Sequence, residues 1–365
     1  MNMKNEGVQP KFEFGLYTLG DLSIDIQTGH KISPAQRLHE IVEAAKLADE
    51  AGIDVFGVGE HHRLDFALSS PPVVLAAIAQ ATKRIRLTSA TTVLSTADPV
   101  RVFEDFATLD LLSNGRAEII SGRGAFLESF PLFGYALDDY HALFQENLTL
   151  LQELNRHSKL TWKGAFRSDL QNAEIAPRPI QSELPIWIGV GGTPASAALA
   201  GTYGTGMALA ILGGDPSKLQ HLVKTYRQAG KNAGHDPQHL QVGITSHGYI
   251  AKTTEQAFNE FYPYYANYTS HFNGNRLESS TLTRDAFEQL AGPDTALAVG
   301  SPERIAEKIL TQHKMFGHTR YMLQMDIGGV PFSRIAAAIE LLATEVAPIV
   351  HRELRKQSQD RSIRT

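Results

Sequence analysis

The chain has 365 residues, 42% of them hydrophobic and 20% charged, with a formal net charge of -5. Its cations are spread among its anions, so the charge pattern gives no reason to expect nucleic acid or an anionic membrane as a partner. The absence of cysteine excludes disulfides, thiolate metal sites and cysteine nucleophiles.

In chain order, residues 1–10 lack the apolar core of a signal peptide, and no uninterrupted apolar run is long enough to span a bilayer, which predicts a cytoplasmic protein. Runs rich in β-branched residues then alternate with helical patterns. Strands are predicted near residues 12–18, 54–59, 85–94, 117–122, 185–191, 206–212, 240–250 and 320–326. Between them the helices carry readable punctuation. Ser33 and Pro34 open the first and Gly52 closes it, while Asp98 and Pro99 open another that ends at Asn114 and Gly115. Ile335, Ile339, Leu342, Val346 and Ile349 mark the buried stripe of the last. Repetition of the βα unit with no Pro/Gly/Ser-rich linker favours a closed (β/α)8 TIM barrel over an open doubly wound sheet. We expect one domain over 1–365, with a core at 12–350, insertions at 159–184 and 252–300 on the C-terminal face, and a frayed, solvated tail at 354–365.

Candidate chemistry falls at strand ends, where barrel enzymes place reacting groups. The second strand runs into Glu60, His61 and His62. An imidazole there could exchange protons near neutral pH. A metal site is disfavoured because no second ligand set has a convincing spacing. The structural alternative is that one histidine caps the loop and the other meets a backbone carbonyl. The fourth strand ends in Ser-Gly-Arg-Gly, where Arg123 could reach a phosphate or an anionic ring edge, or simply pair with Asp105 or Glu128. After the fifth strand, Gly191 and Gly192 permit close backbone approach, Thr193 can cap the next helix and Pro194 suits its first turn. Such a helix start attracts a mononucleotide phosphate, although Pro194 stands where a dinucleotide fingerprint needs its third glycine. The aromatic-rich stretch FYPYYANYTSHF at 261–272 could wall a pocket or pack a helix. No nucleophile elbow or phosphate loop of the nucleoside triphosphatase type is present.

Taken in order, Glu60-His61-His62, Ala97-Asp98-Pro99-Val100-Arg101, the run from Leu109 to Arg116, and Arg123-Gly124 resemble the luciferase-like flavin-dependent monooxygenases. The resemblance spans roughly residues 12–350. It implies a TIM barrel that uses reduced FMN and dioxygen to oxidise a small organic substrate, with a separate flavin reductase and a homodimeric assembly. By the same resemblance His61 is the catalytic, proton-handling residue, and Arg123, Gly191, Gly192 and Thr193 grip the flavin phosphate. Bacterial luciferase carries hydroxyl and carboxyl side chains where this chain has the two glycines. Ala90 and Thr91 align with a cis peptide that makes room for the isoalloxazine ring. Two alternatives stand beside this: a dehydrogenase using a deazaflavin coenzyme, and a non-catalytic FMN-binding protein.

Overall fold

The computed structural model of the protein describes residues 11–273 and 282–364. In chain order it begins with β1 (Glu13–Thr18), α1 (Pro34–Ala51), β2 (Val55–Val58), α2 (Pro71–Ala81), β3 (Arg86–Ser89) and β4 (Thr92–Val93). There follow α3 (Pro99–Ser113), β5 (Ala117–Gly122), α4 (Ser129–Phe133), α5 (Tyr140–Arg156), β6 (Lys159–Trp162), β7 (Leu170–Glu174) and β8 (Ile186–Val190). The chain continues through α6 (Pro194–Tyr203), β9 (Gly206–Ala210), α7 (Gln220–Asn232), β10 (Val242–Ile250), α8 (Thr254–Asn273), α9 (Arg284–Leu290) and β11 (Ala298–Gly300). It closes with α10 (Pro302–Phe316), β12 (Arg320–Gln324), α11 (Phe332–Leu341) and α12 (Ala347–Arg364).

The strands β1, β2, β3, β5, β8, β9, β10 and β12 pair in that order, all parallel, and β12 returns to β1. This is a closed (β/α)8 barrel. Its eight members are the eight predicted strands, because a strand buried on both faces cannot hide its β-branched run. The helix signals behave as their chemistry requires. Ser33 accepts from the Gln36 amide and Asp98 accepts from Val100 and Arg101, while Gly52 and Asn114 take left-handed C-cap conformations.

One predicted strand is corrected. The run 85–94 divides at the Ala90–Thr91 peptide, which is cis, and the chain resumes as β4 paired with β5. The tail is corrected too: α12 continues past Glu353 to Arg364 instead of fraying, although most of residues 354–360 are exposed. The excursion at 159–184 contains an antiparallel hairpin of β6 and β7. Its tip folds back along α5, where the Glu146 carboxylate accepts the amides of Ala165, Phe166 and Arg167, and Arg167 reaches Asp98 at 3.0 Å. Within 252–300 lie α8, α9 and β11; residues 274–281 are outside the described part.

Inward positions fill the barrel in layers. At the floor, Glu118 is buried with Arg86 (2.9 Å), Arg320 (3.2 Å) and the Trp187 indole (2.9 Å), and Arg320 also meets Glu13 at 2.6 Å. Burial alone would push the Glu118 carboxyl up, but the two guanidinium groups outweigh it and hold it below the usual range. A cavity of about 570 Å³ opens beneath this network, lined by Arg86, Glu118, Trp187 and Arg320 at the strands' N-terminal ends. Charges there satisfy one another, so the floor is a plug. Above it sit Val55, Ile120, Ala208 and Met322, with Tyr17 and the partly buried Leu19 and Ala90 toward the mouth.

Candidate active site

Two sets of side chains meet at the C-terminal ends of the strands. The first grows from β2. Past its end, Glu60 turns back: Oε2 accepts the Val93 amide at 2.9 Å and Oε1 meets His62 Nε2 at 3.0 Å. One carboxylate thereby ties the second strand's loop to the segment following the cis peptide. His61 is 9% exposed, lies against the Phe66 ring with centroids 4.1 Å apart, and meets the edge of Phe126 at 4.9 Å. Its Nδ1 is 3.5 Å from Glu128 Oε1, the carboxylate that also accepts the His62 amide at 3.4 Å. Burial pulls the His61 imidazole below its ordinary value, and the Glu128 carboxylate pulls it back up. An imidazole held neutral in an aromatic slot, with a carboxylate at one nitrogen, can exchange a proton. His62, by contrast, is engaged with Glu60 and the edge of Phe133.

The second set grows from β5 and β8. Arg123 NH1 lies 2.8 Å from His141 Nδ1, and NH2 donates to Thr193 Oγ1 at 3.3 Å, with the Tyr140 ring 5.2 Å from the guanidinium carbon. Arg123 pairs with neither Asp105 nor Glu128; Glu128 stands at His61 instead. Thr193 occupies the N-cap position of α6, yet its side chain makes no capping hydrogen bond, which corrects the capping expectation. Its hydroxyl serves Arg123. A Cβ placed on Gly191 or Gly192 would meet nothing within 4 Å, so the backbone beside this pair is open.

Between the two sets lies the cis segment. A Cβ on Gly57 would stand 3.0 Å from the Ala90 Cβ, and one on Gly122 would stand 2.6 Å from Thr91 Oγ1. Glycines on β2 and β5 are therefore what let Ala90 and Thr91 sit at the barrel mouth. His61, Ala90, Thr91, Arg123 and Thr193 thus occupy the ends of four consecutive barrel strands, with Gly191 and Gly192 beside them. Sequence reasoning missed His141 and Tyr140, which carry no local motif, and named Glu128 only as a partner for Arg123; Glu60 was visible as part of the Glu-His-His run but its bridge to Val93 was not. Among the described residues no group of three or more His, Cys, Asp or Glu side chains is placed to hold a metal ion. No described helix is long and apolar enough to cross a membrane.

A parallel barrel with its polar groups at the C-terminal mouth defines the class of the (β/α)8 enzymes. Residues 12–319 match the family described as luciferase-like monooxygenase, and the chain belongs to that family, as one of its flavin-dependent oxidoreductases. It is 24% identical over 334 residues to the oxygenase component of flavin-dependent trigonelline monooxygenase from Acinetobacter baylyi, covering 86% of this chain and 90% of the relative. A solved monooxygenase from Streptomyces bottropensis superposes with a TM-score of 0.78 at 25% identity, over 92% of this chain and 99% of that one. The oxygenating constituent of Pseudomonas putida 3,6-diketocamphane monooxygenase, solved with FMN, gives 0.74 at 20% identity over 93% and 98%. An F420-dependent secondary alcohol dehydrogenase, solved with an F420–acetone adduct, gives 0.71 at 19% over 93% and 99%.

Proposed function

We propose that this protein is a monooxygenase that takes reduced FMN from a separate flavin reductase and uses dioxygen to oxidise a small organic substrate. The observation that carries the proposal is the meeting of Arg123 with Thr193, 70 residues apart in sequence, beside the open backbone of Gly191 and Gly192. A guanidinium, a hydroxyl not spent on capping, and unobstructed amides at a helix start are a donor set for a phosphate monoester. Ala90 and Thr91, seated over glycines, would flank the ring system. The residues therefore fit the cofactor. Bound there, the flavin supplies the electrons and the oxygen chemistry; the barrel supplies orientation and proton control.

His61 is the residue we assign to proton handling. With Nδ1 beside Glu128, its Nε2 is the ring atom left to take or give a proton, and the stacked Phe66 ring and the edge-on Phe126 ring fix the imidazole plane. The reading also carries a homodimer and a cytoplasmic setting. His61→Ala should keep FMN affinity while substrate-dependent dioxygen uptake falls at least ~100-fold, the usual contribution of a positioned general acid or base. Undiminished oxidation by that variant would reject the assignment. The shared fold of the F420-dependent dehydrogenase supports the second reading, a deazaflavin dehydrogenase. Reconstitution with each coenzyme separates them: the monooxygenase consumes dioxygen with FMN, the dehydrogenase reduces the deazaflavin without it.

A further inference from the structure

The candidate cofactor residues use the strand ends from β2 to β8, leaving β9 and the arc of β10, β12 and β1 unassigned. At the mouth of that arc the inward side chains, Tyr17, His247 and Gln324, are polar and uncharged. Arg320 and Met322 both point into the barrel, over Trp187 and into the interior cluster, so period-2 alternation puts Gln324 inward at the mouth. The register pairs Gln324 with His247 of β10, and Leu16 with Leu323 brings Tyr17 of β1 alongside. Gln324 is fully buried, yet neither its amide oxygen nor its nitrogen has a hydrogen-bond partner. His247 has one long ring contact, 3.4 Å to the Tyr265 hydroxyl, with the Tyr268 ring at 5.9 Å.

Leaving a buried amide unpaired costs free energy that a core position would avoid with Leu or Met. A ligand group that completes it gives the residue a purpose. The nearby charges face one another, although Asp21 Oδ1, Asp326 Oδ1 and Arg37 Nε make no hydrogen bond of their own. Asp326 and Arg37 bond at 2.6 Å, and Asp21 lies 3.9 Å from the same guanidinium while accepting from Ser23 and the Gly328 amide. Burial holds the Tyr17 phenol protonated and the His247 ring neutral. The arc also touches the cofactor side directly: a Cβ on Gly57 would meet Tyr17 Cβ at 3.1 Å and Ala90 Cβ at 3.0 Å, so only a glycine separates the two.

We infer that Gln324, His247 and Tyr17, backed by Tyr265 and Tyr268 of α8, form the substrate-recognition wall, and that it selects an uncharged organic substrate carrying a carbonyl or hydroxyl oxygen. This rests on the proposed flavin reading for the position of the reacting ring. The wall presents no unpaired cation, so a carboxylate or sulfonate entering it would lose its hydration without compensation. Neutral donors and acceptors on an aromatic backing instead suit a ketone, aldehyde or alcohol on an apolar skeleton.

The test uses the full-length protein, with and without FMN, and a set of probes on one skeleton: cyclohexanone, cyclohexanol and cyclohexanecarboxylate. Affinity is read by ligand-observed NMR titration. Cyclohexanone and cyclohexanol should bind ~10-fold or more tightly than the carboxylate, and Gln324→Met should weaken the ketone ~2- to 12-fold, the value of one neutral hydrogen bond. FMN affinity and melting temperature should not fall in that variant, since methionine fills the same space without a buried amide. His247→Phe serves as the second variant and should weaken the same probes. Tighter binding of the carboxylate, or unchanged ketone affinity in both variants, would overturn the wall. Because binding is also measured without FMN, failure of the flavin reading appears separately, as absence of FMN binding to the unmodified protein.

Discussion

Replacement of Arg123 by methionine tests the phosphate grip most directly. The change keeps length and removes the guanidinium, whose two N–H contacts in the structure go to the neutral acceptors His141 Nδ1 (2.8 Å) and Thr193 Oγ1 (3.3 Å). A phosphate would replace or join these with charge-assisted bonds, each worth about 1.5–3 kcal/mol. The guanidinium is partly solvent-exposed. Screening therefore places the expected loss near the lower end, about 10- to 30-fold in FMN affinity at physiological ionic strength and more at low salt. Thr193→Val removes one neutral bond and should cost about 2- to 12-fold. Riboflavin, which has the same ring and no phosphate, provides the control. Titration by quenching of flavin fluorescence, at two salt concentrations, should show a loss for FMN that riboflavin does not share. Equal losses for both flavins, or FMN affinity untouched by Arg123→Met, would refute the assignment of this arginine to the phosphate.

Two further outcomes concern stability. Burial pulls the His247 imidazole down to about 4, so the unfolded chain, with an ordinary imidazole, binds the proton more readily than the folded one. Stability present above pH ~6.5 should thus be lost as pH falls toward 4, by up to about 3 kcal/mol. Chemical denaturation at pH 7 and pH 5 should show a smaller drop for His247→Gln than for the unmodified protein, and parallel behaviour of the two would dismiss the linkage. At the barrel floor, Glu118→Ala strands the buried Arg320 with Glu13 alone and leaves the Trp187 indole without its acceptor, at a cost of about 3–5 kcal/mol. A lowered denaturation midpoint with unchanged FMN affinity is expected; a selective loss of FMN binding would mean that the floor is more than a plug.

How much of this was legible beforehand differs by level. Strand positions were readable because strands buried on both faces leave unbroken apolar runs, and helix ends were readable because Ser33, Asp98, Gly52 and Asn114 act on their own local backbone. His61, Arg123 and Thr193 were readable as candidates because each sits at the end of a predicted strand. Their partners were not. Glu128 reaches His61 from 67 residues away and His141 reaches Arg123 from the start of α5, through loops whose course no local preference sets. The wall was hidden for another reason. Alternation in β10 and β12 says that His247 and Gln324 share a face, but not that this face is the barrel mouth, nor that Tyr17 from the other end of the chain stands beside them.

The amino-acid sequence by itself therefore determined the eight-stranded barrel and the strand ends that hold chemistry, because periodicity, capping and turn preferences are local. Only the tertiary structure decided which of those ends face one another: that Thr193 serves Arg123 and not its own helix, and that an unpaired Gln324 lies opposite the candidate cofactor arc. Such juxtapositions are set by closure of the parallel sheet, a long-range packing event in which each contact depends on all eight strands being in register.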